Sequence, residues 1–266
     1  MKLVIFTSNG IRHKYLANTL SEYVDDTLVI CEHHENNPAN RNNNDALSPI
    51  EEHFNLRTLT EQKFFSGNDS FMTDNVLDLM YKEASSEHSY ETVKEFNPDL
   101  MVVFGSSIIK EPLLSLKPNR FINLHLGLSP YYRGSGTNFW PFVNKELEYV
   151  GSTILHLDPG IDTGDIITHV TPNFQVGDTV HTVGCKVVKE SVKVLKRILI
   201  MVEQGEKLKR VKQWNVSDSK YYKNKDFNEK ILNMYKKNLE NLLIENYVSS
   251  PKKLLKLISL DDESSE

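Results

Sequence analysis

The sequence predicts an α/β fold built on a mostly parallel sheet, and three observations lead there. Residues 2–8, KLVIFTS, are an apolar run that leads into the turn Ser8-Asn9-Gly10, a helical stretch from about His13 to Tyr23 and a second apolar run at 27–32, TLVICE. Strand, turn, helix and strand in that order open a parallel α/β sheet. Residues 99–104, DLMVVF, are apolar throughout, as a strand covered on both faces must be. Residues 179–204 form one long amphipathic pattern, with Val183, Val187, Val188, Val192, Leu195 and Leu199 on a single face and Gly205 as its stop.

The remaining elements follow in chain order. Residues 34–48 are Asn-rich and polar, which predicts a long loop. A helix follows Pro49, a residue suited to a first turn. Along it His53, Arg57 and Glu61 recur every four residues and share a face. Residues 86–96 are helical and stop before Pro98, and a short helix is expected over IIKEPLLSL, 108–116. Residues 120–126, RFINLHL, read as a strand with Phe121, Asn123 and His125 on one face and Ile122, Leu124 and Leu126 on the other. Strands at 151–158 and 165–171 flank the turn 159–164, PGIDTG. Beyond Gly205 the texture changes: 208–222 reads as strand and loop, and 226–246 as a helix with Ile231, Met234, Leu239 and Leu242 as its apolar face. The domain reading is therefore 1–205 plus a small C-terminal extension, 206–266.

Composition narrows the functional classes. The 266 residues are 39% hydrophobic, 25% charged and 9% aromatic, which excludes collagen, a disordered chain and a disulfide scaffold. No apolar run reaches about 18 residues, so no membrane-spanning helix is expected. The N-terminal apolar stretch is too short for a secretory signal. Only Cys31 and Cys185 are present, which suits a reduced, cytoplasmic setting. Net charge is −5 but unevenly spread: −8 over 1–204, +7 over 205–260 and −4 in the last six residues. The basic segment suits contact with RNA or a phosphorylated small molecule, or simply a solvated lysine-rich face.

Three side chains carry the sharpest chemical signal. Asn123 and His125, two apart on a strand, project to the same side, and Asp162 sits in a Gly-bounded turn. An amide, an imidazole and a carboxylate together can run acyl transfer to an amine. Spacing alone leaves the plainer reading open, a hydrogen-bonded structural pair beside an ordinary turn. Cys31, His33 and His34 suggest a metal, but no second cluster stands at ligand spacing, so none is expected.

The stretch FINLHLGLSPYYRGSGTNFWPF (121–142) and the later GSTILHLDPGIDTGDII (151–167) resemble the formyltransferase family. The first family pattern matches at Asn123, His125, Leu128, Pro130, Tyr132, Arg133 and Gly134; the second matches at Asp158, Gly160, Asp162, Gly164, Asp165 and Ile166. The resemblance is strong over about 99–170, weaker over the first strand and long helix, and does not cover 34–98 or 206–266. It implies a Rossmann-like, mostly parallel twisted sheet with helices on both faces. It also implies transfer of a formyl group from 10-formyltetrahydrofolate to an amine, with Asn123, His125 and Asp162 catalytic and no metal required.

Folate is then expected against Phe104, Gly105, Ser106, Ile108 and Ile109, closed by Asp158, Gly160 and Ile161. The acceptor is expected near the first turn, Ser8, Asn9, Gly10, Arg12 and His13, and near Tyr132, Arg133 and Gly134. For Tyr131, Tyr132, Trp140 and Trp214, stacking on a base or sugar competes with plain core packing. Family members acting on methionyl-tRNA carry a further basic β-barrel, and those acting on glycinamide ribonucleotide would stop near residue 205. The short extension here matches the sugar N-formyltransferases, which act on nucleotide-linked amino sugars and commonly dimerise. A nucleotide-linked amino sugar, serving surface or flagellar glycan synthesis, is thus the expected acceptor, with folate as the other partner, a homodimer as the assembly, and neither tRNA nor membrane as a partner. A methionyl-tRNA enzyme is one alternative, and a non-catalytic nucleotide- or folate-binding module is another.

Overall fold

The computed structural model describes residues 1–33, 47–250 and 253–262. The Asn-rich stretch and His34 therefore fall largely outside the described residues. A seven-stranded sheet is built from β1 (Lys2–Ser8), β2 (Asp26–His33), β3 (Val76–Met80), β4 (Leu100–Phe104), β5 (Phe121–His125), β7 (Ser152–His156) and β8 (Ile166–Val170), in the order β3-β2-β1-β4-β5-β7-β8. The strands from β3 to β5 are parallel; β7 runs antiparallel to β5, and β8 antiparallel to β7. The fold is α/β, as expected.

Helices cover both faces because the strands alternate apolar side chains between them. Leu3 and Ile5 of β1 with Leu100, Val102 and Phe104 of β4 join one buried cluster, and α1 (Ile11–Ser21) and α5 (Val180–Glu203) supply its other side. Val4, Phe6, Met101 and Val103 point the other way, under α3 (Glu87–Phe96). On β5, Phe121 joins the second of these clusters, while Ile122 and Leu124 join the first, as the strand's alternation predicts. α2 (Pro49–Phe64) starts with a capping box between Ser48 and Glu51, and α5 starts with one between Thr179 and Thr182.

A third cluster joins the C-terminal segment to the rest. Leu232 and Tyr235 of α6 (Glu229–Glu240) and Ile244 of α7 (Leu243–Ser249) pack with Leu128, Tyr131, Tyr132, Phe142 and the first turns of α5. A small parallel pair, β6 (Tyr132–Gly134) with β9 (Lys220–Tyr222), ties the two parts again, and α4 (Trp140–Asn144) lies beside it.

Four expectations need correction. The strand β3 has no counterpart in the sequence reading, because it is short, half exposed and carries Asp78 mid-strand. Residues 108–116 are not a helix; only a 3₁₀ turn forms at Leu113–Ser115. Side chains take the backbone donors there: Glu32 accepts the Ser107 N–H, and Ser85 Oγ accepts the Lys110 N–H at 2.8 Å. The helix expected over 226–246 is two helices, because Leu242 has φ +57 and turns the chain. Its buried face is Leu232, Tyr235 and Asn238, while Met234 and Leu242 are exposed. The Asn238 amide donates to the Phe142 and Val143 carbonyls, both at 2.9 Å, so a polar residue holds a core position.

Leu195 of α5 is fully buried among apolar neighbours. Leu195→Ala should lower unfolding free energy by about 2–5 kcal/mol in chemical denaturation, through lost transfer energy and a residual cavity.

Candidate active site

β5 ends at the carboxyl edge of the sheet, where open α/β sheets form ligand crevices. The register places His125 opposite Thr153 and Asn123 opposite Leu155, so the two side chains sit at the last positions the sheet holds rigidly. Thr153 fixes the turn that follows, donating to the Gly127 carbonyl at 2.6 Å and accepting the Ser129 N–H at 2.9 Å. Gly127 is needed there: a Cβ would lie 2.5 Å from His125 Nε2.

Asp162 comes from the turn between β7 and β8 and reaches His125. Its Oδ1 lies 3.3 Å from His125 Nδ1, with both side chains about nine-tenths buried. Its Oδ2 accepts the Gly134 N–H at 3.3 Å. The other ring nitrogen, Nε2, lies 3.3 Å from the Tyr132 carbonyl oxygen. Both neighbours of the ring are acceptors, so the imidazolium can serve both, and the neutral ring leaves one nitrogen free to take a proton. Among the described residues none hydrogen-bonds the Asn123 side chain, which faces the same cleft.

That cleft has a volume of about 800 Å³. Asn123, His125 and Asp162 line it together with Phe104, Gly105 and Ser106. Of the residues expected around the acceptor, Arg12, His13 and Gly134 line it as well. The two groups meet directly: the His13 ring packs 4.8 Å from Phe104, and a Cβ on Gly105 would lie 2.4 Å from His13 Nε2.

Other expected residues lie elsewhere. Ile109 is buried in the core beneath β4 and presents no surface to a ligand, whereas Ile108 and Ile161 are exposed outside the cleft lining. Asp158 holds its own turn, accepting from the Gly160 N–H at 3.1 Å and from the Thr163 hydroxyl at 2.9 Å. Ser8 Oγ sits 3.0 Å from His13 Nδ1, and Asn9 donates to His33 at 3.2 Å, so both support neighbours rather than line the cleft. Gly10 is the N-cap of α1. Tyr132 is buried with its hydroxyl donating to Glu146, and Arg133 lies in β6 with its Nε buried and without a hydrogen-bond partner among the described residues. Of the aromatic candidates, Trp140 lines the cleft and stacks on Tyr222 at 4.0 Å, while Tyr131 and Trp214 pack against each other in the third cluster.

The cleft also has a wall that sequence reasoning did not assign. His53, Arg57 and Glu61 of α2 face it, together with His181 of α5 and Lys223, Asn224 and Phe227 from the C-terminal segment. The four-residue spacing on α2 was the available signal. Glu61 accepts from Arg12 at 3.2 Å and lies 3.8 Å from Arg57, so two guanidinium groups share one carboxylate. Burial pushes His53 down to about 4, with Arg57 and Lys236 adding to the effect. Burial likewise pushes His181 down to about 3, helped by His53 and Arg57. The two rings lie 4.5 Å apart.

Away from the cleft, Cys31, His33 and Asp78 bring possible ligand atoms within 4.8 Å of one another. Asp78 enters because β3 pairs Asp78 with Cys31, a contact invisible without that strand. His33 Nε2 is 2.6 Å from Asp78 Oδ1, an ordinary imidazole–carboxylate pair, and the cleft chemistry does not involve it.

A sequence family described as "Formyl transferase" matches residues 1–199. The chain belongs to this family. Among curated relatives, methionyl-tRNA formyltransferase from Desulforamulus reducens is 34% identical over 115 residues, 43% of this chain and 36% of that protein. The match therefore spans little more than a third of that relative's length, and it gives no support to the expectation against tRNA. Among solved structures, a sugar N-formyltransferase from Shewanella sp. FDAARGOS_354 has a TM-score of 0.56 at 19% identity, covering 85% of this chain and 78% of that one. The formyltransferase PseJ from Anoxybacillus kamchatkensis, solved with a UDP-linked formamido sugar and tetrahydrofolate, has a TM-score of 0.50 at 20% identity, covering 85% and 87%. At these identities the likeness shows a shared fold.

The paired histidines make stability depend on pH. Their folded-state values lie below the unfolded one, about 6.5, so the unfolded chain binds protons that the folded chain refuses. The stability they contribute is complete above about pH 6.5 and is lost as pH falls toward 4. Thermal melts between pH 7.5 and 4.5 should show Tm dropping over that window, and His181→Phe should make the drop shallower.

Proposed function

We propose that this chain moves the formyl group of 10-formyltetrahydrofolate to the amine of a nucleotide-linked amino sugar. The observation that carries the reading is the meeting of Asn123, His125 and Asp162 in one large cleft. The donor is a substrate that supplies an electrophilic formyl carbon. Phe104, Leu124 and Leu126 offer apolar surface beside the three polar side chains, and the backbone of Gly105 and Ser106 adds polar groups at the edge. Apolar walls with a few fixed polar groups suit a flat heterocycle.

His125 takes the proton that the acceptor amine loses as it attacks. Asp162, against Nδ1, keeps the ring oriented and offsets the charge of the imidazolium. The unengaged Asn123 amide donates to the oxygen that becomes negative as the formyl carbon turns tetrahedral. No nucleophile from the protein is needed, since the amine itself attacks; as the tetrahedral centre collapses, the bond between the formyl carbon and the folate nitrogen breaks, and the His125 imidazolium gives its proton to that nitrogen, which leaves as tetrahydrofolate. Arg12, Arg57 and Lys223 outnumber the carboxylates of Glu61 and Asp162 in the cleft lining, and this excess of positive charge favours a phosphorylated acceptor. The methionyl-tRNA reading draws on the curated relatives and on the +7 charge of 205–260.

The deciding assay supplies the full chain with 10-formyltetrahydrofolate and either a panel of nucleotide-linked amino sugars or methionyl-tRNA, and identifies products by mass spectrometry. A formylated nucleotide sugar is expected; formyl-methionyl-tRNA as the sole product would replace the acceptor assignment. His125→Ala and Asp162→Ala should lower kcat by about 10²- to 10⁴-fold, and Asn123→Ala by about 10²- to 10³-fold, each in a chain whose circular dichroism spectrum matches the parent's. Turnover within a few-fold of the parent in the His125 variant would remove the mechanism.

A further inference from the structure

Part of what holds the His125–Asp162 pair comes from beyond the matched family region, which ends at residue 199. Asp162 has φ +54, a left-handed backbone that non-glycine residues rarely adopt and that costs about 1–2 kcal/mol. The turn carrying it pairs with no strand, and its Ile161 is exposed. Internal bonds reach Gly160 and Thr163 only, through Asp158.

The carbonyls on either side of that turn's far end are held from outside. Gln213 Nε2 donates to the Asp162 carbonyl at 2.7 Å and to the Gly164 carbonyl at 3.0 Å. Gln213 has little freedom of its own. Two residues earlier, Val211 exchanges backbone hydrogen bonds with Ile166 of β8 at 2.8 and 2.9 Å. Arg210 Nε donates to the Asp165 carboxylate at 3.2 Å, and the Lys209 carbonyl lies 3.0 Å from His156 Nε2 at the end of β7. Residues 209–213 thus lace the ends of β7 and β8 to the turn between them.

A second arm from the same segment fixes the other contacts of the pair. β6 presents the Tyr132 carbonyl to His125 and the Gly134 N–H to Asp162. β9 holds β6 in register, with the Lys220 N–H donating to the Tyr131 carbonyl and the Ser135 N–H donating to the Tyr222 carbonyl, both at 2.8 Å. The approach is so close that a Cβ on Gly134 would lie 2.2 Å from the Tyr222 oxygen.

We infer that Gln213 is a positioning residue for Asp162, and that the segment after α5 serves as the outer frame of the catalytic pair. This rests on the formyl-transfer reading above. A side-chain amide with two donors meets two carbonyls two residues apart, which pins the direction of the peptide planes and hence of the Asp162 side chain. A shift of about 1 Å in such a group can cost up to about 100-fold in rate.

The test compares Gln213→Met, similar in shape and without donors, with Gln213→Lys, which restores a donor of similar reach. In the full chain, Gln213→Met should lower kcat by about 10- to 100-fold with KM for donor and acceptor within about two-fold and an unchanged melting temperature, and Gln213→Lys should recover most of the loss. Parent-like kcat in Gln213→Met, or a loss that tracks a lowered melting temperature and is not recovered by Gln213→Lys, overturns the inference. Crystal structures of parent and Gln213→Met give a readout free of any assay. A widened His125–Asp162 separation supports positioning, and an unchanged one overturns it, even if the parent transfers no formyl group and the functional reading itself falls.

Discussion

The contact between the His125 imidazole and the Asp162 carboxylate is the constraint around which this end of the molecule is arranged. Both side chains are about nine-tenths buried, and neither belongs inside a protein without partners. Each therefore has two: the ring meets a carboxylate and a carbonyl, and the carboxylate meets the ring and a backbone N–H. The four groups come from β5, the β7–β8 turn and β6, three segments that meet at the carboxyl edge of the sheet.

That convergence explains where close approach replaces side-chain volume. Gly127 lets the ring lie against the backbone, Gly134 lets β9 lie against β6, and Gly164 seats the Asp162 turn on the His156 carbonyl, which a Cβ would approach to 1.8 Å. None of these glycines is needed for the sheet itself. They mark places where backbone is used as a binding surface, and all three border the same two side chains. The first two clusters of the core, by contrast, follow the plain alternation of β1 and β4 and would hold a sheet with or without a site at its edge.

Much of the sheet was legible from local pattern. β1, β2, β4 and β5 are runs whose alternation or continuous apolarity has only one reasonable partner geometry, and α5 carries a long unbroken stripe. β3 was hidden because Val-Leu-Asp-Leu-Met is too short and too polar at its centre to stand out, and it is a strand only because β2 offers it an edge. The break at Leu242 was hidden because nothing about leucine announces a left-handed turn. The trio of Asn123, His125 and Asp162 was visible as two strand positions and one turn, whereas the α2 wall was visible only as a spacing without a purpose. Gln213 had no signal at all. Its role exists in the distance between two carbonyls, and a lone glutamine in a lysine-rich stretch predicts neither.

In the proposed reaction, formyl donor and acceptor amine meet between Asn123 and His125. A crystal structure of the full chain with a non-transferable formyltetrahydrofolate analogue and a nucleotide-linked amino sugar measures that directly. The formyl-bearing nitrogen is expected beside the Asn123 amide, with the sugar amine within hydrogen-bond reach of His125 and the phosphates toward Arg12 and Arg57. Both ligands seated away from those side chains, or His125 turned from Asp162 with the ligands in place, would contradict it.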